Sequence, residues 1–271
     1  MTTAQADFGV IGGSGFYSLL EDARTVPVST PFGPPSDPLT IGLLGDRRVA
    51  FLPRHGTDHR YPPHRVPYRA NLWALASVGA RQIVAGSAVG SLTPSLGPGR
   101  LVLPDQILDR TWGRPHTYSD SDTGVAHLSF ADPYCPTGRA AAMKAAPDAG
   151  VELADGGTLV VINGPRFSTR AESREYQRTG GTIIGMTGMP EAALARELAL
   201  CYTSICLVTD LDAGVEAGSG VTHEEVLRTF AANLPRMRAI LVAALAELPA
   251  QQSECACGSA LDGVPVPYPL P

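Results

Sequence analysis

The 271-residue sequence is short of charge, with only 17% Asp, Glu, Lys and Arg, against about 25% in an average globular domain. What charge there is leans acidic, 26 carboxylates against 21 Lys and Arg. Without a basic excess, neither nucleic acid nor an anionic membrane surface is an expected partner. No stretch approaches about eighteen unbroken apolar residues, which excludes a transmembrane helix. Met1 to Asp7 has neither the basic start nor the apolar core of a signal peptide, so a cytoplasmic location is expected. Cysteine is scarce, five residues at 135, 201, 206, 255 and 257. An odd number in a chain this long does not read as a disulfide framework, and reduced thiols are expected.

Several catalytic signatures are also missing. The six histidines (55, 59, 64, 116, 127 and 223) make no H-E-x-x-H pattern. Cys255-Ala256-Cys257 is short-spaced and has no second pair beside it, so no metal is expected, and a Cys255–Cys257 bond would be strained. There is no G-x-S-x-G elbow and no Gly-Lys-Ser/Thr after a glycine-rich loop, which argues against serine hydrolysis and a Walker loop.

Glycine and proline are plentiful instead, 29 and 24 residues. Together they make about a fifth of the chain, against about 12% on average. With no Gly-X-Y period, this indicates tight turns in an α/β or α+β protein. Apolar runs at 8–11, 82–85, 158–162, 182–184 and 203–208 read as strands. Residues 39–44 and 48–52, flanking Gly45-Asp46, read as a hairpin. Helical spacing covers 68–78, 137–149, 169–179, 190–200 and 222–248, with Gly79 as a stop and Pro235 as a kink. Pro190 and Glu191 suit the first turn of their helix. Thr222-His223-Glu224-Glu225 has the capping-box pattern. Residues 26–38, 57–67 and 111–135 read as loops. The alternation predicts an α/β sheet with helices on both faces. The expected division is one domain over 1–248 and a Pro-rich C-terminal arm over 249–271, extended and suited to a neighbouring subunit.

Four strand ends carry small, hydroxyl-bearing or basic residues that suit an oxyanion. Gly12-Gly13-Ser14-Gly15 lets backbone N–H groups approach an anion. Pro53-Arg54-His55-Gly56 offers a guanidinium fork and an imidazole. Gly86-Ser87-Ala88-Val89-Gly90 reads as a third turn, and Met186-Thr187 as a fourth. Each alone is equally a structural turn, and the joint placement after strands is what points to a ligand. The 203–208 strand then runs into Asp210 and Asp212. At i and i+2 in extended chain both carboxylates face one side, and their repulsion raises the pKa of one. A protonated or shared carboxyl there suits a heteroaromatic ring nitrogen, although a solvated Asp-rich turn reads the same way.

The order of these motifs is distinctive. Gly-Gly-Ser-Gly-Phe, Arg-His-Gly, Tyr-x-Ala-Asn-x-Trp-Ala-Leu and Gly-Ser-Ala-x-Gly-Ser-Leu are followed by Asp105-Gln-Ile-Leu-Asp-Arg110. Gly164-Pro-Arg-Phe-Ser-Thr-Arg-Ala-Glu-Ser173, Met186-Thr-Gly-Met-Pro-Glu191 and Thr209-Asp-Leu-Asp212 complete the set. Over about 8–245 the chain resembles the trimeric purine nucleoside phosphorylases, and within them the methylthioadenosine phosphorylases. The resemblance implies one α/β domain with a central mixed sheet, a homotrimer, and no metal or organic cofactor. It implies phosphate attack at C1′ of a purine nucleoside, with inorganic phosphate as co-substrate. For 5′-methylthioadenosine the products would be adenine and 5-methylthioribose 1-phosphate.

By the same resemblance Ser14, Arg54, His55, Ser87, Ala88 and Thr187 would bind phosphate. Phe167 and Ser168 would lie against the base and Met186 under the ribose. Asp210 would act at N7 and Asp212 would read the 6-amino group. His223, Val226 and Leu227 would line the 5′ pocket, with His127 reaching in from a neighbouring subunit. Asp at both 210 and 212 favours a 6-aminopurine, since an amino group donates and a carboxylate accepts. His223 departs from the apolar residue usual at that place in the methylthioadenosine branch, which keeps adenosine in view. A 6-oxopurine or 5′-halo-5′-deoxyadenosine specificity remains the alternative.

Overall fold

Two neighbouring strands, the longer of which is buried almost throughout, organise the chain. The computed structural model describes residues 5–13, 20–120, 122–215, 220–252 and 254–271. Its elements follow the order β1 (Phe8–Gly12), β2 (Glu21–Val26), β3 (Leu39–Leu44), β4 (Arg47–Pro53), α1 (Tyr68–Ser77), β5 (Gln82–Ser91), β6 (Leu101–Leu103) and β7 (Gln106–Arg110). Then come α2 (Pro136–Ala145), β8 (Leu153–Asp155), β9 (Thr158–Ile162), α3 (Arg170–Arg178), β10 (Ile183–Gly185), α4 (Gly188–Glu197), β11 (Cys201–Leu211) and α5 (His223–Glu247). The expected single-domain α/β architecture with a mixed sheet is what forms. Strands run in the order β2-β3-β4-β1-β5-β10-β9-β7, and the sheet forks at β5, where β11 pairs and leads on to β6 and β8.

Burial explains the layers. One face of the sheet packs Leu72, Leu75, Leu194 and Tyr202 with α1 and α4. The other packs Phe8, Phe51, Ala142, Ile205 and Leu241 with α2 and α5. β11 is buried from Cys201 to Asp210, as a strand covered on both faces must be. α5 runs on through Pro235 as one helix. Thr222 caps it by accepting from the Glu225 N–H, at 3.3 Å.

Three local expectations differ from the structure. Gly86–Val89 is not a turn, because β5 continues to Ser91 against β11. Its glycines and serine imitate a strand end, but here they serve close approach. β2 has no counterpart among the apolar runs because its pattern is almost wholly exposed, leaving no alternation to detect. The 249–271 segment folds back on its own chain. Gln82 Nε2 donates to the Pro249 carbonyl at 2.7 Å, and the Tyr268 hydroxyl donates to the Glu197 carbonyl at 2.7 Å. Buried Tyr268 also packs its ring at 5.7 Å from that of Tyr118. Tyr268→Ala removes this anchor and should destabilise the protein by about 3 kcal/mol, the range for losing a buried aromatic. Urea unfolding of the variant beside the parent checks it.

Candidate active site

The strand register, more than any one motif, creates the site. β1 pairs in parallel with β5 only up to Ala85. β10 approaches from the opposite direction, antiparallel, and pairs at Gly90 and Ser91. Between them, Gly86 to Val89 has a ladder to β11 on one edge and none on the other. The interrupted ladder leaves a notch between β1 and β10 along β5, the kind of switch point where α/β sheets bind ligands. Gly12 and Gly13 border it from β1. Arg54 and His55 follow β4, which lies beside β1. Met186 and Thr187 border it from β10, where Gly185 comes close to the chain at Ala88. Contacts tie these segments to β5, since the Arg54 N–H donates to the Gly12 carbonyl at 3.0 Å, the Arg54 side chain reaches the Gly86 carbonyl and Gly185 approaches the Ala88 carbonyl. Ser14 lies outside the described residues.

Arg54 is buried, 3% exposed. Its Nε and Nη2 donate to Glu191 Oε1 and Oε2 at 2.5 and 3.0 Å, and Nη1 donates to the Gly86 carbonyl at 2.9 Å. Burial works against its charge, and the Glu191 carboxylate more than restores it. A guanidinium has five N–H groups, so two remain beyond these three bonds. The Tyr202 hydroxyl donates to Glu191 Oε2 at 2.8 Å. Glu191 is thus the positioning partner of Arg54. From the sequence it reads only as a favourable first-turn residue.

His55 lies beside it. Its Nδ1 is 2.8 Å from the Tyr61 carbonyl, so Nδ1 carries the proton and Nε2 is the acceptor. Burial and the Arg54 charge push the imidazole down to about 4, leaving it neutral at pH 7. Thr187 caps α4 by position but makes no side-chain cap bond, which frees its hydroxyl. Ser87 and Thr187 are buried and Ala88 is exposed.

A second cluster adjoins the notch. Burial raises Asp210 to about 6, opposed by the Thr209 hydroxyl and reinforced by Asp212 and Glu225. Thr209 Oγ1 lies 2.8 Å from Asp210 Oδ2. A bulge between Val208 and Asp210 re-aims the chain here. A side chain at Gly90 would place its Cβ 2.8 Å from Asp210 Oδ1, so this glycine makes room for the carboxylate. Burial also raises Asp212, against the pull of the Ser173 hydroxyl and the Ala213 N–H. Asp212 Oδ2 and Ser168 Oγ are buried and make no hydrogen bond of normal geometry among the described residues, although the Ser168 hydroxyl lies close enough to pull on the Asp212 carboxyl. Buried polar atoms are paired in most native sites, so these two point to a ligand.

Phe167 is half-buried beside Ser168, in the segment that follows the cis Gly164–Pro165 bond. Met186 packs its sulfur against Gly164. Its carbonyl accepts from Arg114 Nη1 at 2.9 Å, and the same guanidinium reaches the carbonyls of Met189 and Asn163 at 2.6 and 2.8 Å. Buried Arg114 therefore clamps the ends of β9 and β10. It falls in the segment that reads as loop, and nothing local in the sequence signals its role. At the start of α5, His223 and Leu227 are exposed and Val226 is half-buried. Glu225 acts on Asp210 from this turn, which places α5 at the carboxylate end of the site. His127 is exposed. Among the described residues no hydrogen bond or ring contact ties it to the site.

The comparisons agree with this architecture. A family model described as the phosphorylase superfamily matches residues 7–246. The chain belongs to the phosphorylase superfamily. It is 60% identical to a purine nucleoside phosphorylase of Streptomyces coelicolor, over 98% of each chain. It is 56% identical to an S-methyl-5′-thioadenosine phosphorylase of Mycolicibacterium smegmatis, covering 97% of this chain and 99% of that one. A Schistosoma mansoni methylthioadenosine phosphorylase, solved in complex with adenine, superposes with a TM-score of 0.85 at 40% identity. That match covers 89% of this chain and 91% of the other.

Glu191→Ala leaves the Arg54 guanidinium buried without its counter-charge. The expected cost is about 3–5 kcal/mol, measured by denaturant unfolding of the variant beside the parent.

Proposed function

We propose that this enzyme carries out phosphorolysis of 5′-methylthioadenosine, releasing adenine and 5-methylthioribose 1-phosphate. The observation that carries the reading is the buried pair Asp210 and Asp212, one near its titration point and one with an unpartnered oxygen. An exocyclic amino group would supply the donor that Asp212 Oδ2 lacks. Protonated Asp210 would hydrogen-bond N7 and pass its proton there as charge flows into the leaving purine. Phe167 and Ser168 would bound the base, and Met186 would underlie the ribose.

Phosphate would occupy the notch. The two remaining Arg54 N–H groups, the Thr187 and Ser87 hydroxyls, and the free backbone edge at Ala88 are its donors. Ser14 joins them on the sequence reading. Neutral His55, with Nε2 as acceptor, suits the P–OH of a monoprotonated phosphate. Held there, the anion would stabilise an oxocarbenium-like sugar and then capture it at C1′. A proton and a nucleophile suffice for this chemistry, and no organic cofactor is assigned.

The same reading includes a cytoplasmic homotrimer. Among the described residues no helix is long and apolar enough to cross a membrane. Trp112 is 74% exposed and Val125 and Leu227 54% each, apolar surface that a neighbouring subunit would cover. His127 would then contribute to the adjacent site. His223, Val226 and Leu227 would meet the 5′ substituent. Exposed His223 supports adenosine as a second substrate, because an imidazole can hydrogen-bond a 5′-hydroxyl. The Asp212 carboxylate would repel an O6 carbonyl, which disfavours 6-oxopurines.

Adenine release from methylthioadenosine should require phosphate, with inosine and methylthioinosine turned over far more slowly. Product analysis with and without phosphate tests this, and phosphate-independent release overturns it. A parallel assay of 5′-halo-5′-deoxyadenosine tests the breadth of the 5′ pocket. His223→Val should raise the methylthioadenosine-to-adenosine ratio roughly 3- to 10-fold, the worth of one neutral hydrogen bond. An unchanged ratio removes His223 from the 5′ pocket.

Asp210→Asn should lower kcat about 10²- to 10⁴-fold and leave phosphate KM nearly unchanged. In the parent, kcat/KM should fall as pH rises through about 6, a limb the variant lacks. Stability has a defined sign too. The folded pKa lies above the unfolded value of about 3.9, so folding takes up a proton between them. Ionised Asp210 therefore costs stability at pH above about 6, and Asp210→Asn should raise Tm at about pH 8.

A further inference from the structure

Four of the five cysteines converge away from the carboxylate and phosphate clusters. The sulfurs of Cys135, Cys201, Cys255 and Cys257 all lie within 4.8 Å of one another. The sequence shows only Cys255 and Cys257 as a pair. The fold supplies the second pair from distant elements, Cys135 from the cap of α2 and Cys201 from the first residue of β11. Three of the four are buried and Cys255 is half-buried.

We propose that these four cysteines bind one structural zinc ion as a four-thiolate site. A tetrahedron with Zn–S bonds of about 2.3 Å has sulfur–sulfur edges of about 3.8 Å. The observed sulfur separations bracket that size, from 3.3 Å between Cys201 and Cys255 to no more than 4.8 Å. Each sulfur neighbours the other three, which is the arrangement of corners around a single ion. Soft thiolates in a closed four-ligand set select zinc over calcium, magnesium or manganese.

The surroundings fit thiolate ligands. The Gly138 N–H donates to Cys135 Sγ at 3.4 Å, and Gln252 Nε2 donates to Cys201 Sγ at 3.3 Å. Such N–H donors orient and partly neutralise metal-bound sulfur. Cys135 also caps the positive end of α2. On binding, each thiol still protonated releases its proton to solvent, and nothing is oxidised. The ion would join β11, α2 and the C-terminal segment, and would require no change at Asp210 or Arg54.

The test is zinc content of the full-length protein, purified without chelator or reductant, by plasma mass spectrometry. One zinc per chain is expected, released by a mercurial reagent. Cys255→Ser and Cys257→Ser should each lose the metal, and Cys206→Ser should keep it. Cobalt substitution should give the intense visible bands of a tetrahedral thiolate complex. Stripping zinc with a chelator should lower Tm. Metal-free protein with four reactive thiols overturns the proposal. So does a chain lighter by two hydrogens for each disulfide, or full zinc occupancy in Cys255→Ser. Because the readout is metal content, it stands or falls apart from the enzymatic reading.

Discussion

Buried charge at the base of the notch constrains much of this structure. The Arg54–Glu191 pair reaches into four elements, with Arg54 after β4, Glu191 on α4, Tyr202 on β11 and the Gly86 carbonyl on β5. Removing two such charges from water is expensive, and their attraction offsets that expense only when the geometry is good. The value of the pair is therefore placement more than net stability. A bidentate carboxylate fixes the plane of the guanidinium, and that plane decides where its remaining donors point. Arg114 acts in a related way nearby, drawing carbonyls from β9 and the β10–α4 turn onto one cation.

Around this scaffold the two halves of the site are opposite in character. The notch is rich in donors and suits an anion. The Asp210–Asp212 end is rich in acceptors, and burial holds its carboxyls away from their ordinary ionisation. A nucleoside and a phosphate have complementary needs. The base brings an amino donor and a ring acceptor, and the phosphate brings oxygens. The unpartnered atoms of Asp212 and Ser168 leave the free protein incompletely satisfied, as expected where binding completes the hydrogen bonding.

The parts of this design that are local are legible in the sequence. Apolar runs locate most strands, and Gly79, Thr222 and Asp210-Leu211-Asp212 carry their meaning within a few residues. What escapes a linear reading is long-range. Glu191 becomes a positioning residue only because α4 places it against Arg54, 137 residues away in the chain. Arg114 has no neighbour in sequence that predicts its carbonyl partners. Gly86-Ser87-Ala88 resembles a turn because its small residues favour close approach, while the pairing with β11 that keeps it extended lies more than a hundred residues on. β2 escapes because an exposed edge strand has no buried face to impose a pattern. The four converging cysteines are hidden for the same reason as Glu191, with two of them far from the Cys-x-Cys pair.

The place of β11 in the sheet has a consequence for synthesis. It is the last strand to leave the ribosome, yet it pairs along most of β5, which is made more than a hundred residues earlier. During translation β2, β3, β4, β1, β5, β10, β9 and β7 can assemble while β5 keeps an open edge and the β6–β8 pair has no place in the sheet. Unpaired strand edges are templates for wrong partners. The nascent chain must therefore guard that edge until residues 201–211 arrive, and crowded synthesis of several copies is its most exposed moment.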